Sequence, residues 1–409
     1  MKANLSKTGL KDGGAEAAVQ AARRGDLPFL QEWLNSGGNP DQYDTQGWTP
    51  LLAAAVRGQA AAVDLLLNNS HRRASPAIPF LKSGALPLHF AGQSGSVDTA
   101  KLLLDACPEH LEAIWELNGH TLLLQAVFYG HLELSQFALT RGASTAATTV
   151  RGLAALELAQ QFQNQPLIQL ISPYNCPAEE KAAYYRYLLQ RIAPFTPASQ
   201  AASQERSDSL VRAIEDGLKW AANDHGSIET TLREVQDLVE GQNTDVNRLG
   251  GPLQQPPLVV VVTGTNGSPP NAAVMRLRQQ LAAYLLERGA DPTRYEKHPM
   301  AVHAIIRAAV FNHLEILQMM AARLTPQNLA AALNEQPAVN GLTGLHDTVL
   351  RASTAGPDRF EDYLEQIRWF MAHGARSDIE DFSGRTQRRI AEETADPLVR
   401  RRILEALGG

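Results

Sequence analysis

Apolar residues recur in short blocks separated by glycine turns. Leu51 and Leu52 are followed by Ala53, Ala54 and Ala55, and Gly58 closes the block. Ala62, Val63, Leu65, Leu66 and Leu67 come next at helical spacing and form the apolar face of a second helix. The three alanines let that second helix approach the first closely. Thr49 is placed to cap the first helix, and Pro50 fits its opening position, where no N–H is needed. Asp44 and Gly47 suit a tight turn just before it. The pattern predicts a short helix, a turn and a longer partner helix.

The arrangement returns along the chain. Ala15 to Gly25 and Leu27 to Leu34 form a first pair, followed by the turn-rich Gly37-Gly38-Asn39-Pro40-Asp41. A third pair opens at Leu86-Pro87-Leu88-His89 and continues through Val97, Ala100, Leu102, Leu103 and Leu104. Leu86 stands where Thr49 stood, so one capping bond is expected to be lost. A fourth pair opens at Thr121-Leu122-Leu123-Leu124, turns at Gly130-His131, and continues with Leu132, Leu134, Phe137 and Leu139. Gly25, Gly58, Gly95 and Gly130 mark the turns, at separations of 33, 37 and 35 residues. A fifth, incomplete unit begins at Arg151-Gly152.

The period then breaks. Glu179 to Ile192 predicts a helix carrying Tyr184, Tyr185 and Tyr187, which are expected to pack the irregular middle. Pro194 to Glu205 predicts a mobile loop. Helical spacing resumes over Leu210–Leu218 and Ile228–Val239. Leu258 to Thr263 is β-branched and apolar, so propensity alone indicates a strand, while the repeat register indicates a short first helix. The register is preferred. Met275 to Leu286 forms a further helix, ending in Arg288-Gly289-Ala290-Asp291-Pro292. Another unit runs from His298 to Ala322, with Asn312 where the others have glycine, and an added helix covers Leu324–Asn334. Gly341-Leu342-Thr343-Gly344-Leu345-His346-Asp347 starts the next unit, with Gly344 in place of proline. Gly384-Arg385-Thr386 opens the last, and Val399 to Leu407 closes it with a charged outer face suited to an end cap.

The stretch Asp44-Thr45-Gln46-Gly47-Trp48-Thr49-Pro50-Leu51-Leu52-Ala53-Ala54 resembles the opening of an ankyrin repeat, a unit of roughly 33 residues. The resemblance implies an all-α fold, an ankyrin-repeat solenoid of stacked helix pairs with irregular middle insertions. It implies N-terminal repeats over 15–170, an irregular helical middle with degenerate repeats over 171–274, and C-terminal repeats with a cap over 275–409. It also implies a concave surface, lined by fingers and first helices, that binds a protein partner.

Composition narrows the alternatives. The chain has 409 residues, 44% of them apolar, and a net charge of −6 with no basic block. A nucleic-acid partner is not expected. Cys107 and Cys176 are the two cysteines, so neither a disulfide framework nor a cysteine-rich zinc site is expected. The apolar runs, Leu258 to Val262 among them, are too short to span a bilayer. No apolar segment follows the polar start Met1–Gly14, so the expected location is cytoplasmic, without membrane insertion.

No motif calls for a metal or a cofactor. Gly264-Thr265-Asn266-Gly267 lacks the lysine of a phosphate cradle and suits an ordinary turn. By the resemblance, His89, His131, His313 and His346 bond to neighbouring backbone and fix turns, whereas His120 and His373 lie outside those positions. Binding candidates are the family's variable positions. Tyr43, Trp48, Arg57, Gln93, Phe128, Tyr129 and Phe311 fall on finger or inner-helix surface, with Trp48, Arg57 and Tyr129 expected to be exposed. The alternative for Trp48 and Phe128 is packing on adjacent units. Gln125, Arg307 and Asp347 occupy the inner-helix position after the turn histidine. A protein-binding scaffold or regulatory partner is the leading expectation. The alternative is an enzyme with a small-molecule site on the concave surface. It would need His346 and Asp347 gathered with Arg307 or Tyr129.

Overall fold

The computed structural model describes residues 13–193, 200–223, 228–263 and 271–408. The chain divides into two compact units, Met1–Ile192 and Ala193–Gly409. Every named element among the described residues is helical. The turn at Gly264–Gly267 and the start of the chain before Gly13 lie outside the described residues.

Among the described residues of the first unit, five helix pairs follow one another. They are α1 (Gly13–Arg24) with α2 (Leu27–Asn35), α3 (Pro50–Val56) with α4 (Ala60–Asn68), and α5 (Pro87–Ser94) with α6 (Val97–Ala106). α7 (Leu122–Phe128) with α8 (Leu132–Thr140) and α9 (Ala155–Gln161) with α10 (Gln165–Ile171) complete them, and α11 (Ala178–Ile192) follows. First helices stack on first helices, α1 on α3, α3 on α5, α5 on α7 and α7 on α9. Each pair buries one face on its neighbours, so the core is a continuous row rather than a central cluster.

Local chemistry sets each pair. The Thr49 hydroxyl accepts the Leu52 N–H at 3.3 Å, and Pro50 starts α3 without an orphan donor. Gly58, Gly95 and Gly130 all take positive φ, between 63° and 79°, which a left-handed turn favours in glycine. Leu86 supplies no cap oxygen, so the side-chain cap bond is lost as expected, while His89 satisfies a different donor, the N–H of Leu86 itself. His89 Nδ1 accepts that N–H at 2.9 Å, which leaves Nε2 protonated to donate to the Ala113 carbonyl at 2.9 Å. The fingers close as small hairpin turns, such as the bridge between Trp115 and His120.

The second unit repeats the scheme. α12 (Ala201–Ala222) packs on α13 (Ile228–Gln236), which runs into a π-turn at Asp237–Gly241. Then come α14 (Pro257–Val262) with α15 (Ala272–Glu287), α16 (Ala304–Val310) with α17 (Leu314–Ala321), and the added helix α18 (Pro326–Leu333). α19 (Gly344–Thr354) with α20 (Pro357–Ala372) and α21 (Gln387–Glu392) with α22 (Pro397–Ala406) end the unit. α14 is the helix that the register asks for and β-propensity opposes. All six of its side chains are buried, so packing against α12, α15 and α16 overrides the local preference of four consecutive valines. Gly344 replaces proline because α19 sits very close to α16. A Cβ there would meet the Ala309 Cβ at 2.9 Å.

The expected loop over Pro194–Glu205 needs correction in part. Residues 194–199 lie outside the described residues, but Ala201 to Glu205 already belong to α12. Alanine, glutamine and glutamate are good helix formers, and the loop reading gave too much weight to the preceding prolines. Tyr184 and Tyr185 are half-buried, with the Tyr185 hydroxyl 3.4 Å from the Val150 carbonyl, while Tyr187 is exposed.

Candidate partner-binding surface

The repeat turns align one residue type after another. Arg57 precedes Gly58, Ser94 precedes Gly95, and Tyr129 precedes Gly130. In the fifth pair Phe162 precedes Gln163, which takes φ 53° without being glycine. Because α3, α5, α7 and α9 stack in order, these positions form one row at the ends of the first helices.

Aromatic rings gather at one end of that row. Phe128 is 39% exposed and Phe162 49% exposed, and they meet edge to face with centroids 5.4 Å apart. Phe128 also meets Tyr129 edge to face at 5.1 Å. Behind them His120 stands 5.3 Å from Phe128. His120 Nδ1 donates to the Gln125 side-chain oxygen at 2.6 Å, and burial pushes the His120 pKa down to about 4. It is a neutral prop for the aromatic group. His131 Nε2 donates to the Gln93 carbonyl at 2.9 Å and holds Tyr129 against its own ring face. Phe162 escaped the sequence reading because the fifth pair lacks the glycine that marks the other turns. Asn164 carries the missed signal, since its side chain caps α10 at Leu167 N.

The remaining candidates separate into surface and interior. Tyr43 is half-buried, and its hydroxyl donates to the Pro79 carbonyl at 2.7 Å. Arg57 and Gln93 are half-buried at repeat turns. Trp48 is not exposed. It is 3% accessible, stacks on Phe80 at 4.2 Å and lies 5.0 Å from Phe90, with the Arg23 guanidinium 4.7 Å from its ring. A tryptophan before the capping threonine points into the finger base, where the following loop brings Phe80 onto it. Gln125 is fully buried and serves His120 and the His89 carbonyl, so it does not reach the surface.

In the second unit, Arg307 is also interior, paired with the buried Glu296. Gln255 completes that carboxylate with a 2.5 Å hydrogen bond. Nothing in the sequence near Arg307 flagged Glu296, which reaches it from the preceding finger. Asp347 is half-buried and bonded to Arg351 at 2.6 Å, with burial holding its pKa above the usual carboxylate range. Phe311 is half-buried and stacks on His313 at 6.3 Å. Thus of Gln125, Arg307 and Asp347, equivalent in register, the first two are buried and the third is half-buried. The four turn histidines are not alike either. His89, His131 and His346 each bond to backbone, the last at 3.1 Å to the Arg385 carbonyl. His313 Nε2 is buried without a hydrogen-bond partner.

Residues 18–113 match the family profile for ankyrin repeats, in three copies. The chain carries ankyrin repeats over that stretch. Ankyrin repeats are generally protein–protein interaction modules. No curated protein matches the chain. The matched stretch ends before α7. The aromatic cluster therefore stands on the two pairs that follow it, which share the same helix–turn–helix geometry. Among the described residues no helix is long and apolar enough to cross a membrane.

Proposed function

We propose that this chain is a binding scaffold whose protein partner docks on the row of repeat turns in the first unit. The carrying observation is the exposed Phe128–Phe162 pair. Two large apolar rings kept at the surface, with the neutral His120 behind Phe128, favour a partner that covers them. Tyr129 extends the aromatic area, and Arg57 continues the row with a charged fork. The enzyme alternative finds no support in Gln125, Arg307 and Asp347, because the first two are interior and the third is tied to Arg351.

The test is affinity capture with the immobilised full chain, followed by calorimetry on the retained protein. Phe128→Ala with Phe162→Ala should weaken binding by about 2 kcal/mol or more, while helicity and unfolding midpoint stay near wild type. A folded double variant that binds its partner unchanged would move the interface elsewhere.

A further inference from the structure

One helix of the first unit belongs to no pair. After α10 the chain turns back, and α11 lies across the fingers that precede the fifth and fourth pairs. Its contacts form one stripe at helical spacing. Lys181 pairs with Glu157 of α9, and the Tyr185 hydroxyl donates to the Val150 carbonyl at 3.4 Å. Leu188 rests on Gly119, and Arg191 meets Glu116 at 2.8 Å. Two finger glycines flatten the seat. A Cβ at Gly119 would stand 2.8 Å from Leu188 Cδ2, and one at Gly152 would touch the Tyr185 ring at 3.4 Å.

The helix is held lightly. Leu188 and Ile192 are the buried residues among its fifteen, whereas α8 buries four of nine. Arg191 and Glu116 are 45% and 55% exposed, and ion pairs so open to water hold weakly. The fit also leaves a fault. The Tyr184 hydroxyl is sealed from solvent and has no hydrogen-bond partner among the described residues. Burial, then the charge of Glu112, raise its pKa to about 12, so it stays a neutral phenol with an unmet bond. The seat itself is acidic. Glu157 and Glu116 stand at its two ends, and Glu112 acts on Tyr184 between them.

We propose that α11 is a displaceable strap, and that the finger seat beneath it is a second docking site, for a basic amphipathic helix of a protein partner. The site is separate from the Phe128–Phe162 row. The seated helix shows what fits: an apolar stripe with a lysine or arginine at each end, matched to Glu157 and Glu116. A partner helix with a plain phenyl ring at the Tyr184 position meets the same carboxylates and leaves no polar group unmet. That difference lets it displace the resident helix. The covalent tether gives α11 a high effective concentration at the seat, so weak competitors are kept out.

The experiment titrates the full chain into a fluorescent synthetic peptide with the sequence of Ala178–Ile192 and reads anisotropy. Leu188→Asp with Arg191→Glu in the chain releases the strap and leaves the seat unaltered. The peptide should bind this released chain roughly tenfold tighter than wild type, or better. A peptide carrying Tyr184→Phe should bind tighter than the native sequence, and one carrying Lys181→Glu with Arg191→Glu more weakly. Glu116→Lys with Glu157→Lys, added to the released chain, should remove binding while circular dichroism stays unchanged. In the wild-type chain, α11 amides should exchange with deuterium faster than those of α7. Equal protection of α11 and α7, equal peptide binding by released and wild-type chains, no gain from Tyr184→Phe, or binding that survives reversal of Glu116 and Glu157 would each overturn the proposal. So would a wild-type chain that dimerises by exchanging α11, which makes a second copy the occupant.

Discussion

Trp48 stacks on Phe80 with ring centroids 4.2 Å apart, joining the cap of one repeat to the loop that enters the next. Phe90 and Trp115 continue the contact into the third pair, with Trp115 Nε1 donating to the Ser83 carbonyl at 2.7 Å. An indole in this position acts through packing rather than partner contact. Trp48→Ala should therefore destabilise the first unit by about 3–5 kcal/mol. Urea denaturation followed by circular dichroism reads the effect. A variant as stable as wild type but defective in partner capture would restore Trp48 to the binding surface.

The second pair offers two sites of different size. Leu66 is fully buried, so Leu66→Ala should cost about 2–5 kcal/mol through the cavity it leaves. Thr49→Ala removes one cap bond and should cost about 1 kcal/mol. The order of the two unfolding midpoints is the check, and a Leu66→Ala midpoint above that of Thr49→Ala would refute the assigned buried face.

The Glu296–Arg307 pair should behave as a buried ion pair does. Glu296→Gln alone leaves the guanidinium without its counter-charge and should destabilise by about 3–5 kcal/mol. Glu296→Gln combined with Arg307→Met should recover much of that loss. A double-mutant cycle measures it, and strictly additive single losses would show that the two charges do not depend on each other.

Acid should weaken the first unit through His89 and His120. Burial lowers both from the ordinary 6.5 to about 4, so between those values the unfolded chain holds protons that the folded chain does not. Stability must then rise with pH across that window, and it is complete above the unfolded value. Lowering the pH from 7.5 to 5 should cost on the order of 2 kcal/mol per histidine. Urea midpoints at the two pH values test this, with His120→Gln flattening the dependence. The same slope in a variant lacking both histidines would assign the effect to other groups.

The sequence by itself determined the architecture. Glycines at near-constant spacing, Thr49-Pro50 at a helix start and apolar residues at helical intervals act over one or two turns of chain. Such local rules are written in neighbouring residues. They reached even α14, whose valines argue for a strand, because its position in the repeat register outweighed its propensity. They also reached the fold into helix pairs beyond the stretch that matches known repeats.

Exposure was decided only by the tertiary structure. Whether Trp48 faces solvent depends on Phe80, which a long loop returns to it. Whether Arg307 is free depends on Glu296, which comes from the preceding finger. Gln125 and Asp347 share a register position, yet one is sealed by His120 and the other is held by Arg351. Phe162 became part of the surface because α9 stacks on α7 and brings it to Phe128. Burial and ion pairing are properties of residues distant in sequence, set by how successive repeats and their connecting loops close on one another. A repeat pattern specifies each helix pair, but the contacts made between pairs decide which side chains are left for a partner.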